Sequence, residues 1–430
     1  MRPRGIDKQI TLEVSHENKK LRLAFLIGFI LLAAAAFAFG IYSFSSKKPS
    51  WTEIDPSGIP DEITAEYSFF YKLGETDKSA TKEYRSLTAA YSSALATAYA
   101  AFDSASEHEA GGNLATLSKH PNERVTVMPE LYRALEVINS GDGRKNELFM
   151  GPVYYVYWQL MTCRDDTAAA FYDPDVNSQF GDFCSKVAEY SAQPESIRIE
   201  LFEGNTVMLC VSEEYLKFAE DNGVAELLGL GWMRNAFMID CVADELISAG
   251  WTNGIISAYD GFSRSLGVDG ELNCGVFSND DGVVSSAAVL RYNGKNSRAT
   301  VSLSPFPITA MDKKRFYVYS DGTVRDSYVF SEILFGLSGY GRYGYGYLLA
   351  YKDGASCAGL SLMLNRSFIP YGGEMDSPLL WHALVNRSDF SDGAEFIYVS
   401  DNVYYTEVDA DIVCPDQGSG IKKDLVLIKK

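Results

Sequence analysis

Apolar and polar positions follow a helical period in some stretches of the chain and alternate in most others. In residues 229–261, GLGWMRNAFMIDCVADELISAGWTNGIISAYDG, positions Met233, Phe237, Cys241, Leu246 and Ala249 recur every three to five residues, as one helix face does. Gly229 and Gly231 bracket the turn before this helix, and Gly250 stops it in the manner of a C-cap glycine. Gly254–Ala258 then reads as a buried strand, and Asp260-Gly261 turns the chain. Residues 82–102 predict an alanine-rich amphipathic helix without Gly or Pro, Pro129 opens a second helix, and Ser212 caps a third that ends at Asn222-Gly223.

Strand signals fill most of the remainder. Residues 63–73 are rich in β-branched and aromatic side chains. Residues 197–201 and Thr206–Val211 flank Glu203-Gly204-Asn205, a hairpin signal. Beyond Gly261 the pattern predicts strands at 276–277, 287–292, 299–303, 315–319 and 323–329, a helix at 376–385, and a last hairpin from 395–399 and 403–408. Residues 146–160 form an aromatic-heavy segment expected to be buried. Residues 163–194 read as a polar, turn-rich excursion over the surface. This alternation of elements predicts one large mixed α/β (α+β) domain over residues 63–410, followed by a tail at 411–430.

Residues 23–46 carry no charge and are long enough to cross a bilayer as a helix. Arg2, Arg4, Lys8, Lys19, Lys20 and Arg22 precede this run, and only Lys47 and Lys48 follow it closely. The positive-inside rule therefore predicts a cytoplasmic tail at 1–22, a single-pass anchor in the cell membrane at 23–46, a Pro/Ser-rich linker at 47–62 and an extracytoplasmic domain. A cleaved signal peptide is the other reading, with Ala36-Phe37-Ala38 as a small-residue site, although the apolar run exceeds the usual length. Beyond residue 46 there are 32 basic and 54 acidic residues, which argues against a nucleic-acid partner. The seven cysteines contain no C-x-x-C pair and no zinc-like spacing, and several lie in apolar contexts, so mostly buried free thiols are expected.

The 229–261 arrangement has the chemistry to hold a phosphate or cofactor at the helix start and again at the second turn. Its order of elements resembles the ApbE-type FAD:protein FMN transferases, from about residue 63 to residue 407. AFDSASEHEAGGNLATLS stands where that family has a serine- and asparagine-containing loop, and RVTVMPELYRALEVI matches the following Val/P-E-L/helix segment. KNELFMGPVYYVYW echoes the family's GAFDPTVGPLxxLW, and LGLGWMRNAFMID echoes LDLGGIAKGYAVD. The resemblance implies a T-fold-related domain that transfers FMN from FAD to a threonine of an exported flavoprotein with Mg²⁺. It also implies roles for individual positions. Gly231, Asn235, Asp240, Gly261 and Glu147 fall at cofactor-binding places, and Asp376 falls at a metal-binding place.

Several motif positions depart from the family pattern. Asn235 replaces the motif lysine, Ala236 a glycine, Gly229 an aspartate, Glu147 an aspartate, Phe149 a threonine, Ser118 an asparagine, and Leu380 the metal-binding threonine. No histidine occurs between His120 and His382, so the family's late histidine is missing. Two readings follow. One is a pseudoenzyme that keeps the fold for flavin-related binding or scaffolding, with an exported flavoprotein or electron-transfer partner. The other is an active transferase, or FAD pyrophosphatase, with an unorthodox site. Losing a single preorganised donor typically costs ~10²–10³ in rate, and several losses together favour the pseudoenzyme.

Overall fold

The computed structural model describes residues 50–74, 79–140, 145–280, 283–304, 308, 316–326, 347–367, 394–400, 403–406, 412–413 and 424–427. The chain divides into two compact units. The smaller contains Leu73–Glu83, where the Gly74 N–H donates to Glu83 Oε2 at 2.8 Å; Trp51–Lys72 and Tyr84 onward belong to the larger.

The alternating segments become strands: β1 (Ser50–Glu53), β2 (Tyr67–Leu73), β3 (Arg124–Thr126), β4 (Ile197–Phe202), β5 (Thr206–Val211), β6 (Gly254–Ala258), β7 (Phe262–Ser265), β8 (Glu271–Asp280), β9 (Val283–Asn293), β10 (Arg298–Leu303), β11 (Phe316–Val318), β12 (Val324–Asp326), β13 (Tyr347–Asp353), β14 (Glu395–Ser400), β15 (Val403–Thr406), β16 (Ile412–Val413) and β17 (Asp424–Leu427). One nine-stranded sheet runs β1-β2-β6-β7-β10-β13-β14-β15-β17. Its pairing is antiparallel from β2 to β15, and β17 joins β15 in parallel. Smaller sheets join β3-β5-β4 and β16-β9-β8, and β11 pairs with β12. Residues 411–430, expected as a tail, thus supply two short strands. The hairpin predicted at 203–205 forms, with positive φ at Gly204 and Asn205 and Phe202 opposite Thr206.

Helices cover these sheets: α1 (Ala80–Phe102), α2 (Leu114–Lys119), α3 (Pro129–Ser140), α4 (Gly151–Thr162), α5 (Asp166–Tyr172), α6 (Ser178–Ser191), α7 (Glu213–Asp221), α8 (Arg234–Ser248) and α9 (Cys357–Ser367). The first half of α8 is buried nearly all round, including Ala236, Met238, Ile239 and Val242, because β7 lies on one side and α9 on another. The helical period predicted a single buried face, and Ala249 on that face is exposed.

Two further expectations differ from the structure. Residues 163–194 form α5 and α6 instead of an irregular excursion. The side chains of Asp165 and Asn177 cap their first turns, and Cys184 and Val187 of α6 pack into the core below. In 146–160, Pro152 sits in the first turn of α4, as its missing N–H allows, and Val153, Val156, Tyr157 and Leu160 are buried. Tyr155 and Trp158 of the same helix are exposed, the latter at 59%. Among the described cysteines, six are free thiols, three of them buried. No helix of the described residues is long and apolar enough to cross a membrane; residues 23–46 lie outside them, as does the helix expected at 376–385.

Candidate functional site

The polar loop before α2 is organised by Asn113, which is fully buried. Its Oδ1 accepts from the Thr116 N–H at 3.0 Å, and its amide donates to the carbonyls of Ala100 (3.0 Å) and Ser106 (2.7 Å). Ser118, one turn on, accepts from the N–H groups of both Leu227 and Leu228 at 3.2 Å. Ser104 donates to Glu226 at 2.7 Å. The loop therefore holds residues 226–228, the irregular approach to the glycine turn.

That approach runs very close to the start of α4. A Cβ on Gly151 would lie 2.7 Å from the Glu226 carbonyl oxygen, and one on Gly229 would lie 3.2 Å from the Gly151 Cα. Gly231 has φ +51°, and a Cβ there would fall 2.5 Å from the Tyr154 ring. Glu147, buried in the 3-10 turn before α4, is close enough to raise the Tyr154 phenol further, after burial itself has pushed it well above its ordinary value. Gly231 thus faces the Tyr154 ring directly, and the buried Glu147 lies in the same neighbourhood.

Asn235 belongs to a second group. Its Oδ1 accepts from the Tyr67 hydroxyl, and its Nδ2 donates to Asp260 Oδ2 at 2.9 Å and Glu66 Oε2 at 3.3 Å. Arg234 pairs with the same Glu66 oxygen at 2.7 Å. The site therefore brings together the start of β2, the start of α8 and the β6–β7 turn. Gly261 follows Asp260 with φ +97°, and a side chain there would strike the Ser302 carbonyl of β10. Burial holds the Tyr67 hydroxyl well above its ordinary range, so it is a neutral donor.

Asp240, further along α8, has different partners. Its oxygens accept from the N–H of Cys357 (2.9 Å) and of Ala358 (2.8 Å), and from Arg264 Nη1 at 3.1 Å. Arg264 also reaches Asp244 at 2.8 Å. Asp240 is therefore a cap, supplied from another helix, on the first turn of α9. Burial pushes its carboxyl up to about 6, against the opposite pull of Arg264 and the two amides.

No known protein-family pattern matches the sequence, and no curated protein matches it. Among solved structures, the flavin transferase ApbE from Vibrio cholerae superposes with a TM-score of 0.50 at 14% identity, over 85% of this chain and 96% of that one. The fold is that of the ApbE flavin transferases. A point variant of the Vibrio cholerae protein (TM-score 0.45, 10% identity, 85% and 96% covered) and apo Pseudomonas stutzeri ApbE (0.43, 12%, 82% and 92%) are also similar.

The residues singled out in the sequence fall into three settings. Asn235 and Gly261 share the Asp260 cluster, Glu147 and Gly231 share the Tyr154 neighbourhood, and Asp240 joins Arg264 and α9. Asp376 lies outside the described residues. Glu66, Tyr67 and Arg264 were not singled out in the sequence. They carry no motif signal, because their partners lie 24 to 169 positions away along the chain. Among the described residues no group of three or more His, Cys, Asp or Glu is placed to hold a metal ion. The Asp240 carboxylate, engaged by two amides and a guanidinium, does not fit a magnesium ligand.

Proposed function

We propose that this chain is a membrane-anchored, extracytoplasmic ApbE-fold protein that binds a flavin, or scaffolds an exported flavoprotein or electron-transfer partner, without transferring FMN. The observation that carries this reading is the pair of polar networks on α8. Asn235, where the resemblance expects a lysine, is an uncharged amide held among Tyr67, Glu66 and Asp260. Asp240 is held by Arg264 and the start of α9. Transfer from FAD requires positive charge on the pyrophosphate and a base for the attacking hydroxyl. At Asn235 the nearest groups with formal charge are two carboxylates and the Arg234 that one of them already pairs with, so the extra charge that builds on the pyrophosphate during transfer would face carboxylates where the resemblance expects a lysine.

The test combines chemistry and binding. The full chain in detergent, given FAD, Mg²⁺ and a threonine-bearing acceptor, is expected to leave the acceptor mass unchanged. A gain of one FMN on the acceptor would sink the proposal in favour of an active transferase. FAD at a hundredfold over its Kd adds ~2.7 kcal/mol to stability, and a rise in melting temperature is the expected result. No rise removes flavin binding and leaves scaffolding alone.

A further inference from the structure

The helical layer shapes a half-open cavity of about 520 Å³ between α4, α5, α6 and the 222–226 segment after α7. Such a volume lies within the range of small-molecule sites. Of the Gly151-Pro152 motif pair, Pro152 lines it. Its walls are aromatic: Tyr155, Phe171, Tyr172, Phe180 and Phe183. Three of these rings touch one another, with centroids 5.1 Å (Phe171–Tyr172), 5.4 Å (Phe171–Phe180) and 5.5 Å (Tyr172–Phe180) apart. At the mouth Tyr155 tilts against the exposed Trp158 at 6.0 Å.

The polar groups restrict what such a cavity accepts. Gln159, Gln179 and Asn222 supply uncharged amides, able to donate and accept along the edge of a ring. Glu226 is the charged side chain in the lining, and no Lys, Arg or His accompanies it among the described lining residues. A phosphate entering here would meet a carboxylate and no cation, in a partly desolvated space where the repulsion is strong. Pro152 also removes one of the N–H donors that the start of α4 would otherwise direct at an anion.

We propose that this cavity binds an uncharged, planar heteroaromatic molecule, stacked on the Phe171/Tyr172/Phe180 cluster and edged by the amides, and that Glu226 discriminates against phosphorylated forms. The inference goes beyond the flavin-binding reading and takes from it only the probes. Riboflavin is the uncharged flavin; FMN is the same ring carrying a phosphate.

Equilibrium dialysis of the full chain in detergent against riboflavin, FMN and FAD tests it. Riboflavin is expected to bind at least about tenfold more tightly than FMN at neutral pH. Ala225→Trp, at an exposed lining position, is expected to weaken riboflavin about tenfold or more while the melting temperature of the unliganded protein stays unchanged. Glu226→Gln is expected to narrow the gap between riboflavin and FMN. No riboflavin binding, equal affinity for the two flavins, or riboflavin binding indifferent to Ala225→Trp would each overturn the proposal. The two readings fail separately. An FAD-induced melting shift without riboflavin binding ends this inference and leaves the flavin-binding reading intact.

Discussion

Asn235 and Asp240 lie on one helix and belong to two different polar networks, and the residues beside them show how tightly each is held. Gly231, just before that helix, combines a left-handed backbone with contact against the Tyr154 ring. Gly231→Ala is therefore expected to lower stability by about 3 kcal/mol, from backbone strain and overpacking together. Gly223→Ala is the control: φ there is +65°, but a Cβ would meet nothing within 4 Å, so a loss of only about 1 kcal/mol is expected. Urea unfolding of the two variants measures the difference, and equal losses would mean that Tyr154 gives way. The sequence pointed to Gly231 and Gly261 because a glycine in the turn before a helix, or after Asp in a turn, reports a backbone need locally. It did not point to Glu66, Tyr67 or Arg264. A lone polar residue in a strand looks alike whether it faces solvent or a buried amide 169 positions away.

Between elements, the bond from α8 to α9 runs through a single carboxylate. Asp240 has its carboxyl raised to about 6 in the folded chain, above its unfolded value near 3.8. The folded state therefore binds the proton more tightly than the unfolded state. Stability from this group is greatest below about pH 4, falls as the pH rises through 6, and is flat above that, a swing on the order of 3 kcal/mol. Subtracting the stability of Asp240→Asn from that of the parent, between pH 4.5 and 7.5, isolates the effect. The parent is expected to lose ground to the variant as the pH rises, and a flat difference would show that Arg264 and the α9 amides balance the burial. Elements were legible in the sequence where pattern and punctuation coincided, as at Glu203-Gly204-Asn205. The α5–α6 pair is not legible as helical in the sequence pattern, although its caps at Asp165 and Asn177 are present. Polar residues on the outer faces of both helices diluted the apolar period that marks Cys184 and Val187.

For the molecule as a whole, the fold was legible from the order of motifs even at 14% identity to the Vibrio cholerae protein, because the spacing of glycines, turns and helix starts reports the backbone path when few side chains coincide. Localisation belongs to this scale too. The proposed anchor at 23–46 predicts that the full chain stays with the membrane pellet after alkaline carbonate extraction, and that a chain starting at Lys47 is released. Release of the full chain would refute an uncleaved anchor. The large sheet adds a constraint of timing. Its two edges are Ser50–Glu53 and Asp424–Leu427, drawn from opposite ends of the described chain. The partner of β2 is β6, so the first strands have no sheet to join until Gly254–Ala258 has left the ribosome, or any translocation channel, and the helices in between must be made first. The strand at Asp424–Leu427 is added last, on β15, to a sheet that can already have formed.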